Sequence, residues 1–175
     1  MKRAAIAAVW VVVLIVDGVV LPGLTGLHAG LGIMIFLAAL AVSFGAHRWV
    51  IGLGMALSLG AELILGMNFG VIIGAWLAII WSWYGMSQVL SMKSVHENDS
   101  MLTLVPCAAF GIVLVAVGEC AAWLIDRVMY QAGLTSATLR AILGSPAIMG
   151  VAFVELVAVL FIFRFIYSSR TSFYA

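Results

Sequence analysis

Four carboxylates, Asp17, Glu62, Glu119 and Glu155, fall inside or near the ends of long apolar runs. An ionised side chain at the centre of a bilayer costs at least ~2.5–3.5 kcal/mol. In a membrane each acid must therefore face protein or water, or carry a proton. Two chemistries fit: a relay of protons or solute along the acids, or hydrogen bonds between helices. Glu155 sits near the middle of its run and is the costliest. Arg164 cannot neutralise it within one helix, because ~100° per residue carries Arg164 to the opposite face. Glu155 is expected to be buried and to draw a donor from another helix, while Arg164 reaches for headgroups. Asp17 and Glu62 lie near the ends of their runs, where water is closer.

Other constellations are thin. His28, His47 and His96 stand in turns or at interfacial ends, with no fixed spacing to a nucleophile. "GSPAIMG" is not a nucleophile elbow, and "GLGMALSLG" lacks the strand that a dinucleotide site requires. "HEND" reads as a solvated loop, and neither CxxC nor His/Cys spacing exists for zinc. Cys107 and Cys120, if they share a helix, lie about 20 Å apart at ~1.5 Å per residue. No catalytic residue, cofactor site or metal site is expected. A net charge of +1 with no basic cluster excludes nucleic acid as a partner.

The richest local pattern is "AELILGMNFG", 61–70, in which Glu62 is followed by Gly66 and Gly70 at four-residue steps. Gly66 can take the left-handed conformation that ends a helix, and Asn68 can cap the next one. Backbone N–H groups at the start of that next helix favour negative charge. Glu62 is thus expected to accept hydrogen bonds from them and lock the reversal. Beyond the turn, Gly70, Gly74, Ala78 and Ser82 form a stripe of small residues that admits another backbone. Gly54 and Ser58 repeat the spacing up to Glu62. The stripe either packs inside the chain or offers a groove to a partner helix. Glu119 and Glu155 complete the candidate structural and partner-contact residues.

These residues must be positioned by membrane helices. The chain of 175 residues is 66% hydrophobic and 9% charged, against about 25% charged in soluble domains. Six segments have the roughly 17–25 apolar residues of a span: about 4–21, 27–46, 49–66, 69–91, 102–125 and 145–166. The first is expected to be an uncleaved span, since no small-residue cleavage site follows its basic start. Turns at 22–26, 47–49 and 66–69 separate the early spans. "KSVHENDS", 93–100, is the long polar run, and 126–146 is the longest connection. Within that connection Thr135 or Ser136 would cap a short surface helix with Leu139, Ile142 and Leu143 on one face.

The fold class expected is an all-α integral membrane protein, a single-domain bundle of about six spans without a soluble domain. Lys2, Arg3, Arg48, Lys93, Arg164 and Arg170 fall on one side, Arg127 and Arg140 on the other. That bias places both termini in the cytoplasm and lipid around the bundle.

The stretch "GLGMALSLGAELILGMNFGVIIGAWLAIIWSWYG", 52–85, resembles the central segment of the bacterial rod-shape-determining family MreD. There, glycines and leucines lead to an acid near a helix end. A glycine follows four residues later, then a short turn and a glycine opening the next helix. Glu62, Gly66, Met67–Asn68–Phe69 and Gly70 take those positions, where the family more often has Asp and a turn with Ser or Pro. The resemblance implies a non-enzymatic scaffold in the bacterial inner membrane, part of the elongasome that sets cell shape. Its partners would be MreC-like proteins, the MreB filament system and peptidoglycan synthases. An alternative is similarity to the substrate-binding membrane subunits of energy-coupling-factor vitamin transporters. Those share the size and six spans, and Ala4 and Ala8 match the spacing of their small-residue docking motif.

Overall fold

A computed structural model of the chain describes residues 2–16, 31–89, 104–130 and 146–168. Asp17, His28, His96, the 93–100 run and the expected helix around 135–143 lie outside them. Among the described residues the secondary structure is helical throughout. The helices are α1 (Lys2–Ile15), α2 (Leu31–Phe44), α3 (Arg48–Leu65), α4 (Val71–Val89), α5 (Leu104–Tyr130) and α6 (Pro146–Ser168). Each coincides with one of the six apolar segments. Two, α3 and α5, are long and apolar enough to cross a membrane by length and composition. Shorter apolar helices cover Ala5–Ile15, Leu31–Phe44 and Val71–Ser87.

Where both the expected and the observed boundary fall on described residues, they differ most at α5. The sequence places its end at 125, yet the helix continues through Asp126 to Tyr130. Nothing in "DRVMY" breaks a helix: it contains neither Gly nor Pro, and Arg127 favours the negative C-terminal end of the dipole.

At the centre stands α2. Every residue from Leu31 to Val42 is buried, and the helix touches all five others. Its sequence, "LGIMIFLAALAVSF", is apolar on every face, as befits a helix surrounded by protein. Phe36 and Phe44 both meet Phe163 of α6, with ring centroids 5.5 Å apart in each pair.

Close approaches fix the other contacts. The methyl end of Ile125 on α5 lies over Gly74 of α4, and Ile79 of α4 lies over Gly118 of α5. The two pairs run in opposite chain directions, so α4 and α5 are antiparallel. Leu156 of α6 fills the space beside Gly111 of α5. A Cβ at any of these glycines would collide with the neighbour, so close packing depends on their lack of a side chain.

Candidate functional site: the reversal between α3 and α4

Three polar or charged side chains are buried among the described residues: Ser58, Glu62 and Asp126. Glu62 and Asp126 converge on one turn.

Helix α3 ends at Gly66, whose φ of 64° and ψ of 28° are left-handed. A Cβ there is strained, which explains the glycine. The Gly66 and Met67 amides both donate to the Glu62 carbonyl, Met67 at 3.1 Å. The second bond is the six-to-one closure of a Schellman motif. The chain then reverses through Asn68 and Phe69, and Gly70 at φ 89° leads into α4.

The start of α4 is enclosed, with Val71 1% and Ile72 0% exposed. First-turn amides have no partner within their own helix, and burial shuts out water. The Glu62 carboxylate supplies the acceptors: Gly70 N–H donates to Oε2 at 2.9 Å, and Ile72 and Ile73 donate to Oε1 at 2.6 and 3.0 Å. This is the contact expected of Glu62 from the sequence. One residue therefore terminates α3 with its carbonyl and initiates α4 with its side chain. The burial of a charge at 2% exposure is offset by charge-assisted bonds and by the dipole of a 19-residue helix.

Asn68 does not act as the expected side-chain cap. It precedes the flanking residue Gly70 by two positions, which puts its side chain out of register with the first turn. Its Nδ2 instead donates to Asp126 Oδ1 on α5 at 2.6 Å. Four residues on, the Tyr130 hydroxyl donates to the Phe69 carbonyl at 2.5 Å. The last turn of α5 thus lies against the tip of the reversal.

The remaining candidates are placed as follows. In the stripe, Gly74 receives Ile125 of α5, nothing lies near a Cβ built at Gly70, and Ala78 and Ser82 are half-buried. Close contact between α3 and α4 comes instead at Gly54, where a Cβ would overlap the Trp76 indole. Trp76 Nε1 donates to the Ile51 carbonyl at 3.2 Å. Ser58 is fully enclosed and its hydroxyl lacks a partner. Glu119 is half-buried. Glu155, expected to be fully enclosed, is half-buried as well, because it flanks the outward face of α6 carrying Val151 and Val154. Cys107 and Cys120 both lie on α5 as free thiols.

Asp126 and Tyr130 are absent from the candidates drawn from sequence, since both fall in the span's expected exit. A signal was present. Gly118, Ala122, Asp126 and Tyr130 recur every four residues and so mark one helical stripe continuing past 125. Among the described residues no group of three or more His, Cys, Asp or Glu could hold a metal ion. No protein-family model, curated protein or solved structure matches the chain.

Proposed function

We propose that this chain is a non-enzymatic membrane scaffold: a bundle of six spans in the bacterial inner membrane, both termini cytoplasmic, acting in cell elongation as an MreD-like protein. The observation that carries the reading is the placement of polar groups. The centre of the bundle is α2, apolar and buried from Leu31 to Val42, while the buried carboxylates Glu62 and Asp126 are engaged in holding a turn. A filled interior suits a structural element better than a solute path. The resemblance of 52–85 supplies the cellular context and the partners: MreC-like proteins, the MreB system and peptidoglycan synthases.

Orientation follows from charge. The end of the bundle holding Gly45–His47 carries Arg48 and the Arg164 end of α6, and the α3–α4 end carries Arg127. On this reading the first end is cytoplasmic. Cysteines introduced at Ser94 and Ser136 of a chain lacking Cys107 and Cys120 test it with a membrane-impermeant reagent. In intact cells Ser136→Cys is labelled and Ser94→Cys is not; the reverse pattern refutes the topology. Function is tested by co-purification from native membranes at equal expression. Recovery of elongation proteins, lost in Glu62→Ala, supports the scaffold. Recovery of an ATPase module, with loss of small-solute uptake in Glu62→Ala, replaces it with the transporter reading.

A further inference from the structure

The two sets of bonds at the reversal differ in what they need. The Glu62 bonds to Gly70, Ile72 and Ile73 lie wholly within the α3–α4 hairpin and require nothing from α5. The last turn of α5 is the opposite case. Arg127, Val128, Met129 and Tyr130 are all exposed, so little apolar burial holds that turn in place. Its side-chain ties to the hairpin are Asn68–Asp126 and Tyr130–Phe69. Tyr130 is 41% exposed, so water competes for the second tie. Arg127 stacks on Trp123 of the same helix, 5.6 Å from the ring centroid, which stiffens the turn without fastening it to another of the described helices. Segments with few buried apolar contacts and solvent-reachable bonds are the ones that open locally.

We propose that the last turn of α5 is a strap, closed in this structure over the α3–α4 turn, which opens while the Glu62 clamp stays shut. Opening frees the Asp126 carboxylate and the Asn68 amide side by side at the edge of the bundle. When the strap is closed the Asp126 side of this pair is covered, at 7% exposed. The clamp keeps Asn68 in place during this motion, because the backbone on both sides of it is fixed through Glu62.

Site-resolved amide hydrogen exchange on the full chain in lipid nanodiscs tests the strap. Tyr130→Phe removes one neutral hydrogen bond and is expected to speed exchange at 127–130 about fivefold. Asn68→Asp sets a second carboxylate against Asp126 and is expected to speed it at least about tenfold. In both variants the amides of Ile72 and Ile73 keep their wild-type rates. Glu62→Leu, which removes the clamp itself, speeds both groups. The proposal is overturned if 127–130 keep wild-type rates in the first two variants. It is equally overturned if Ile72 and Ile73 accelerate in step with them, since the region then opens as one unit.

Discussion

Helix α3 has two ends, and they are built differently. At its start the chain reverses through Gly45, Ala46 and His47; at its finish it reverses through Gly66 to Gly70. Both turns use a left-handed glycine, Gly45 at φ 69° and Gly66 at φ 64°. At the start, His47 makes no side-chain cap, and bonds from the Val50 and Ile51 amides to the His47 carbonyl suffice. Aromatic rings complete the packing: Trp83 lies over Gly45, and Phe44 meets Trp49 edge-on at 5.4 Å. At the finish, a carboxylate accepts three amides and α5 adds two more bonds. Reversal alone therefore does not require an acid. The difference follows exposure. His47 and Arg48 are exposed, so their amides can use water, whereas Val71 and Ile72 are sealed. A helix that begins inside packed protein must be given an acceptor by the protein.

The strongest break of this contrast is Glu62→Leu. It leaves one buried and two part-buried donors at the head of α4 and is expected to destabilise the fold by about 2–3 kcal/mol, at ~1–3 kcal/mol per buried unsatisfied group. Thermal melting in detergent measures it, and an unchanged midpoint would show that the clamp is dispensable. Glu62→Gln is expected to lose less, because Oε1 still serves Ile72 and Ile73 while an N–H now opposes Gly70.

Next come the two glycines. Gly45→Ala adds strain and pushes a Cβ to 3.0 Å from the Trp83 ring. Gly66→Ala adds strain alone, for nothing lies within 4 Å. The left-handed cost is ~1–2 kcal/mol for either, so Gly45→Ala should melt lower than Gly66→Ala. Equal melting points would mean that Trp83 yields without cost.

The smallest effect sharpens the contrast from the other side. His47→Ser supplies the missing cap to an exposed helix start and should stabilise by about 0.5–1 kcal/mol. A larger gain would show that the start of α3 is less well solvated than its exposure implies.

Much of the site is legible in the sequence, for a physical reason. An acid one turn before a helix end, followed by glycines at +4 and +8, encodes the reversal and its acceptor within nine residues, Glu62 to Gly70. What comes from α5 is not legible in the same way. Asp126 and Tyr130 are polar residues at the end of an apolar run and read as interfacial; their four-residue stripe with Gly118 and Ala122 extends the helix through them, but that they meet Asn68 and Phe69 is visible only in the contacts. The centrality of α2 is hidden for a related reason. A helix apolar on every face has no periodicity to tell lipid from protein. Gly54 looks like one member of a small-residue series, and its role appears only with Trp76 beside it.

Glu62 also sets an order of assembly. Its carboxylate meets amides 8, 10 and 11 residues ahead in the chain, whereas the α5 ties span 58 and 61 residues. Closing a ten-residue loop takes roughly 10–100 ns. Extending the loop from about ten to about sixty residues adds about 1.6 kcal/mol of closure entropy. The hairpin therefore forms from near neighbours, and α5 docks onto a turn that already has its shape. In kinetic terms the carboxylate is a nucleus: it makes the α3–α4 unit self-sufficient before the distant half of the chain has arrived.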